Sequence, residues 1–487
     1  MAGHASVTSS RNVTRADDEP TETGGGPRRQ ALCVAYFFPP LGGVSVTRMV
    51  SFVRHLPVAG WEPVVLSPRG SAYPLRDPSG MAAVPPAVQV TRALSPEPQA
   101  ARHLVRAIRT RVTAPLRSLG RIAGRRPARG TVSDPLSEPA AVADRATATP
   151  PRNMLASIRR WLFFPDDQLL WLPFAVRAGL RIHRERRLAV IYSTASPVSG
   201  HLVAGTLHRL TGLPWVAEFR DPWIGNVLAD PLPWTHRRLQ RRLERWIVAS
   251  AARIVFLSAE TEAAYLGRYP ALAGRSVVVP NGYDAEDLGP PPERPPASTP
   301  LRLVYTCTLD RPAETAALMA GLASLVARRP EVSARLAIKF IGHTSPEVAA
   351  IVEPYLDTPS LQAMIRFTGF APRAEALSLV RDADACLVML GEEPGMSQFV
   401  PGKLFDYIGL DAPVLALVPP GEVRSLLERL EWGIVADPTP AGAADGLERL
   451  LAGDYRTGRA DRAGLYERRG IALQLGSVLD AAATVGR

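Results

Sequence analysis

Lysine is almost missing from this chain: of its 57 basic residues only Lys339 and Lys403 are lysines. Cysteine is nearly as scarce. Cys33, Cys307 and Cys386 each sit in an apolar, strand-like run without metal-ligand spacing. This argues against a disulfide framework or a cysteine zinc site, and the three read as small core residues in a reducing cytoplasm. No run approaches the apolar length that spans a bilayer, so the chain reads as soluble or peripheral. The first residues lack the apolar centre of a signal peptide. Acids are absent between Glu97 and Asp134, where nine arginines stand: 102, 106, 109, 111, 117, 121, 125, 126 and 129. Leu104, Ile108 and Val112 recur among them at helical spacing, as do Leu116, Leu119 and Ile122 after Pro115. Two readings stand. One is a basic amphipathic segment that favours an anionic membrane, each arginine adding about 1 kcal/mol. The other is an arginine-rich insertion without a partner. Nucleic acid is the weaker rival, because aromatics that would stack on bases are lacking there.

What is present is globular. An apolar fraction of 46% with 21% charged residues and 487 residues predicts two domains with tails. Residues 1–29 read as a disordered tail, polar and rich in Gly, Pro and Thr. Residues 30–288 form a first α/β unit, opening on the apolar strand Gln30 to Phe38, with a Pro- and Arg-rich insertion at about 70–160. Strands are expected at 61–67, 188–193, 214–219, 253–258 and 276–279, with helices at 46–56, 168–184, 199–211 and 234–250 between them. A proline-rich linker, 289–300, leads to a second series over 301–455. Its strands are expected at 301–306, 336–341, 365–368, 385–390 and 413–417, its helices at 314–328, 345–356, 373–382 and 401–409. Residues 456–487 read as a terminal helical segment that could return to the first domain. Strand–helix alternation in both halves predicts two Rossmann-like domains facing each other across a cleft, with ligands beyond the carboxyl ends of the strands.

The segments with chemistry lie at those strand ends. Pro39-Pro-Leu-Gly-Gly-Val-Ser-Val-Thr-Arg48 offers paired glycines, which let backbone approach a diphosphate, before a helix start. Ser193 to His201 is a small-residue loop with a histidine in the first helical turn; His201 is either structural or a sugar-side hydrogen-bonding or acid–base group. Glu218-Phe-Arg-Asp-Pro-Trp223 clusters charges at a strand end, and Pro280-Asn-Gly-Tyr-Asp284 is a turn closing the first half. Asp382-Ala-Asp384 has metal-ligand spacing, but its place between helix and strand fits a turn. In Val400-Pro-Gly-Lys-Leu-Phe-Asp-Tyr407, Pro-Gly opens a short helix that Gly409 and Pro413 close. Lys403 in its first turn is either a phosphate ligand or a solvated surface lysine.

Tyr36-Phe-Phe-Pro-Pro-Leu-Gly-Gly43 with Arg48, Phe219-Arg-Asp-Pro-Trp223, the 280–284 turn, Phe367-Thr-Gly-Phe370 and the 400–407 segment occur in an order that resembles family-4 type glycosyltransferases of the GT-B fold. The likeness runs from about residue 30 to 455, apart from the insertion. It implies an α/β chain in which the first domain holds the acceptor and the second holds a nucleotide-diphosphate sugar, with no metal and no cofactor. Residue by residue it implies Gly42, Gly43 and Gly402 at the donor diphosphate, and Arg311 and Lys403 neutralising its charge as the sugar–phosphate bond breaks. It implies Gly342, His343, Gly369 and Phe370 about the base, and Asp406 at the ribose. His201 and Asp221 are the remaining catalytic candidates, with Arg48, Arg220 and Asn281 on the acceptor side. It further implies transfer with retention. Together with the basic amphipathic insertion, the ordered loops point to a lipid-linked or envelope glycan acceptor and to a place in the cytoplasm, peripheral on the inner face of the cell membrane. Three positions depart from the family pattern. The usual pair of glutamates is here Gln398 and Asp406, and a glycine of the first second-domain loop is here Cys307. A non-catalytic, nucleotide-binding assembly partner is the rival reading.

Overall fold

The computed structural model describes residues 28–42, 44–69, 76–96, 164–225, 233–292, 299–393, 395–455, 461 and 464–485. The expected tail, apart from its last two residues, and the nine arginines of 102–129 lie outside the described residues, as does Gly43.

Two parallel sheets carry the fold. The first comprises β1 (Arg29–Val34), β2 (Trp61–Arg69), β3 (Val90–Leu94), β4 (Leu188–Ala195), β5 (Trp215–Phe219), β6 (Arg253–Phe256) and β7 (Ser276–Val278), in the order β3-β2-β1-β4-β5-β6-β7. The second comprises β8 (Leu301–Thr306), β9 (Leu336–Ile341), β10 (Ile365–Phe367), β11 (Ala385–Met389), β12 (Val414–Leu417) and β13 (Ile434–Ala436), in the order β10-β9-β8-β11-β12-β13. Helices cover both faces, so the central strands β5, β11 and β12 are buried at every residue; β11 and β12 read as unbroken apolar runs, and β5 is interrupted by Glu218 alone. Each order reverses once, between β1 and β4 and between β8 and β11. Those reversals are where the loops part and leave a crevice.

Two strands escape a reading by apolar runs. β3 lies inside the stretch taken as an insertion; it is an edge strand with one buried residue, Ala93, and so carries no core stripe. β13 has only three residues. Part of the proline content goes to helix starts, where a missing N–H costs nothing. Pro312, Pro346 and Pro440 open helices this way, and Ser345 and Thr439 cap two of them.

The last helix, Arg468–Val485, packs on the first domain. Ile471, Ala472, Leu475, Leu479 and Ala482 are buried in that domain's core, and Trp61 Nε1 donates to Asp480 Oδ1 at 2.9 Å. No helix among the described residues is long and apolar enough to cross a membrane.

Candidate active site

The second-domain half of the site is built where β8 ends. Thr306 Oγ1 lies 2.7 Å from the hydroxyl of Tyr407, which fastens the Gly402–Gly409 helix to that strand end. Lys403 is four residues earlier and therefore on the same helix face. Its ammonium sits 3.3 Å from the centroid of the Tyr305 ring, a cation–π contact. Burial pushes Lys403 down to about 8, and Arg311 acts in the same direction; Cys307, Cys386 and Asp310 pull the other way. Lys403 and Arg311 are thus electrostatic neighbours, one from the helix and one from the loop after β8. Among the described residues Lys403 has no acidic partner within ion-pair distance, and Arg311 reaches only the sulfur of Met396 at 3.8 Å. Two cations at two helix starts, neither held in an ion pair among the described residues, form a site for an anion.

The floor of that site is backbone. Cys307 N–H donates to Ile341 O at 2.9 Å and Leu309 N–H to His343 O at 2.7 Å, so the loops after β8 and β9 run together. Gly342 makes this possible: at φ +139°, a Cβ there would lie 2.1 Å from Cys307 O. Its N–H donates to Gly369 O at 2.8 Å, which brings the loop after β10 alongside. His343 is exposed, and Phe370 presents its ring to solvent at 77% exposure. Gly342, His343, Gly369, Phe370, Gly402, Lys403 and Arg311 therefore share one strand-end rim. Asp406 lies on it too, held by both ends of the Arg373 guanidinium at 2.8 and 2.9 Å. Cys307 is exposed in its loop and is not a core residue; Cys33 and Cys386 are buried. Gln398 has a buried Oε1 without a hydrogen-bond partner.

Two acids at this rim escape the sequence. Glu314 is 2% exposed, and neither of its oxygens is held by another side chain. Glu314 Oε1 and Glu393 Oε2 lie 2.4 and 2.2 Å from the point a Gly391 Cβ would occupy, so the two carboxylates converge where β11 ends. Burial raises the Glu314 pKa and Glu393 adds to it, while Arg311 lowers it. Nothing in the sequence marks Glu314, since an acid in the first turn of a helix is ordinary. Asp384 of the Asp-Ala-Asp motif accepts from Arg302 N–H at 2.8 Å and from its Nε at 3.1 Å, a structural pair.

In the first domain two of the candidates are buried. Arg48 is a clasp inside the domain. Its Nε and Nη2 donate to Glu218 Oε2 at 3.1 and 2.8 Å, its Nη2 also to Val279 O at 2.9 Å, and its Nη1 to Pro280 O at 2.6 Å. Glu218 is 1% exposed and also accepts from Thr194 Oγ1 at 3.0 Å. A strand-end pair of charges looks functional in sequence; here it crosslinks the edge of the sheet. His201 is likewise a core residue, 0% exposed, with its ring against Phe219 and Trp215. Trp215 Nε1 donates to Ser193 Oγ at 2.7 Å, and that oxygen lies 2.8 Å from His201 Nδ1. The serine hydroxyl is then free to donate to Nδ1, which holds the ring neutral. Burial, seconded by Arg220, pushes His201 down to about 3.

Arg220 and Asp221 stand half-buried at the carboxyl edge. Arg220 donates from Nε to Ala195 O at 3.0 Å and from Nη2 to Ser196 O at 2.5 Å. Burial raises the Asp221 pKa and Arg220 opposes this. Asn281 is half-buried with an Oδ1 that lacks a hydrogen-bond partner, and Gly42 is buried in the turn after β1.

Comparison with known proteins agrees with this frame. Residues 137–287 match the sequence profile of Glycosyltransferase Family 4. Among solved structures, sucrose-phosphate synthase of Thermosynechococcus elongatus superposes with TM-score 0.57 at 16% identity, covering 92% of this chain and 98% of that one. A glycosyltransferase of Rickettsia africae gives 0.53 at 9% identity, over 94% and 96%. HepE of Anabaena, solved in complex with UDP, gives 0.51 at 12% identity, over 94% and 98%. No curated protein matches the chain. Residues 137–287 thus resemble Glycosyltransferase Family 4, and the chain as a whole shares the two-domain GT-B fold of these structures.

Proposed function

We propose that this enzyme transfers a sugar from a nucleotide-diphosphate donor to a lipid-linked or envelope glycan acceptor, with retention, at the inner face of the cell membrane. The observation that carries the donor side is the convergence of Lys403 and Arg311, neither of them in an ion pair among the described residues, at the point where the second sheet reverses its order. A departing diphosphate supplies that charge. As the sugar–phosphate bond breaks, negative charge grows on the leaving oxygen, and two fixed cations favour the transition state over the bound ground state. They occupy the role a divalent cation plays elsewhere, so the reaction is proposed to run without metal or cofactor. Phe370 offers a face for the base, and Asp406 a carboxylate for the ribose once Arg373 yields part of it. Arg220, Asp221 and Asn281 face the acceptor. With His201 buried and neutral, the proton of the acceptor hydroxyl is assigned to the leaving phosphate.

HepE was solved with UDP, which makes UDP the first probe here. A thermal-shift panel of nucleoside diphosphates and their sugars should show a rise with one of them, since a ligand stabilises by its concentration over its Kd. Lys403→Ala should lose that shift and lower transfer by roughly a hundredfold or more, in the range set by loss of one such group, without lowering the melting temperature of the ligand-free chain. Full turnover by this variant would contradict the assignment. Removing residues 100–130 should weaken sedimentation with anionic vesicles; unchanged sedimentation would remove that segment from the membrane reading.

A further inference from the structure

A second surface, distant in sequence from 100–130, carries the marks of a lipid interface. The helix Trp234–Ser250 buries His236, Gln240, Glu244, Ile247 and Val248. Its outer face presents Arg237, Arg238, Arg241, Arg242 and Arg245, all exposed. At 100° per residue these five and Trp234 fall within one arc, along a rod of about 25 Å. None of these five guanidinium groups makes an ion pair or hydrogen bond among the described residues, and the helix's one acid, Glu244, is turned inward to the hydroxyls of Tyr265 and Tyr269, each at 2.9 Å. The helix Leu172–Glu185, in the same layer beyond the helix Ser199–Thr211, adds exposed Arg177 and Arg184, together with Arg181, which lies 3.9 Å from Glu185 Oε1.

Apolar side chains stand at one end of this basic layer. Because every strand is parallel, each helix starts at the carboxyl edge of the sheet and runs back. Trp234 (68% exposed), Phe174 (40%) and Leu170 (40%) therefore gather at that edge, the edge that carries Arg220 and Asp221. Two contacts bind the helix starts together. Phe164 packs its ring against His236 and Trp223 at 5.2 and 6.4 Å, and Asp166 accepts from Ser199 N–H, at the start of the intervening helix, at 2.8 Å.

We infer that this helical layer docks on an anionic phospholipid bilayer, with Trp234, Phe174 and Leu170 entering the headgroup region and the arginines lying on the charged surface. Tryptophan and arginine side by side suit that boundary, because an indole prefers the interface and a guanidinium pairs with phosphate. A single-stranded nucleic acid would want a row of stacking rings among the arginines, and the arc has one. The orientation places the mouth of the cleft at the membrane. The inference extends the lipid-side reading of the acceptor, and its test reads lipid binding without turnover, so the two fail separately.

The test is co-sedimentation of the full chain, residues 100–130 intact, with vesicles of phosphatidylcholine alone or with one-third phosphatidylglycerol. Wild type should bind only the anionic vesicles, and less so as salt rises. Replacing Arg237, Arg238, Arg241 and Arg242 by Glu should cut binding by roughly tenfold or more, with the melting temperature and nucleotide shift retained. The same four positions changed to Lys should keep binding, and Trp234→Ala should weaken it, which guards against a Glu variant that fails to fold. Equal sedimentation of the folded Glu variant, or capture of poly(U) RNA without vesicle binding, would overturn the inference.

Discussion

Lys403 sits where its own charge is costly, and that sets a pH dependence. Its folded pKa is about 8 against an ordinary 10.5, so the folded chain without donor binds fewer protons than the unfolded one between those values. The burial penalty is then complete below about 8 and is relieved as pH rises toward 10.5. Donor binding runs the opposite way, because a diphosphate needs the ammonium. The nucleotide-induced thermal shift should be largest near pH 7 and decline through pH 8 to 9; a shift that holds constant to pH 9.5 would dissociate Lys403 from phosphate. His201 carries the second residue-scale prediction. Folded near 3 and unfolded near 6.5, it is neutral in the native core and protonates on unfolding. Stability should fall as pH drops below 6.5, with a slope of up to about 1.4 kcal/mol per pH unit from this group. His201→Asn keeps an acceptor for Ser193 and should flatten that slope in urea titrations, whereas an acid catalyst would lose activity at all pH values.

At the scale of elements, Arg48 belongs to the first helix but holds the ends of β5 and β7. It and Glu218 are both buried, so removing one partner strands a charge in the core, a loss of about 3–5 kcal/mol. Arg48→Ala should lower the urea midpoint accordingly, and adding Glu218→Gln should recover much of it. A loss of acceptor binding with full stability would instead restore Arg48 to the acceptor side. In sequence, Arg48 and Glu218 lie 170 positions apart, and no periodicity links them. The same holds for Glu314 and Glu393, which converge only because β8 and β11 are neighbours. By contrast, the span 234–250, the strands 301–306 and 336–341, and the Pro-Gly start before Lys403 were legible locally. There the apolar period, the helix-opening proline and the flanking breakers all point one way.

The whole molecule is closed by its last helix, which leaves the second domain to complete the core of the first. Ending the chain at residue 467 would uncover the surface beneath Ile471, Leu475 and Leu479, each worth about 1.5–3 kcal/mol when buried. Such a chain should melt markedly lower or aggregate on expression; a soluble protein with an unchanged melting temperature would show the helix to be dispensable.

The amino-acid sequence by itself determined the alternation of strand and helix, the positions of most elements, and the loops that carry chemistry, because each depends on neighbours within a few residues. Only the tertiary structure decided which charged groups remain available to a ligand. Among the described residues Lys403 and Arg311 were left out of ion pairs, while Arg48 and His201 were buried among partners. Burial and pairing are properties of what lies across the sheet, and residues that meet there are separated by up to a few hundred positions in the chain.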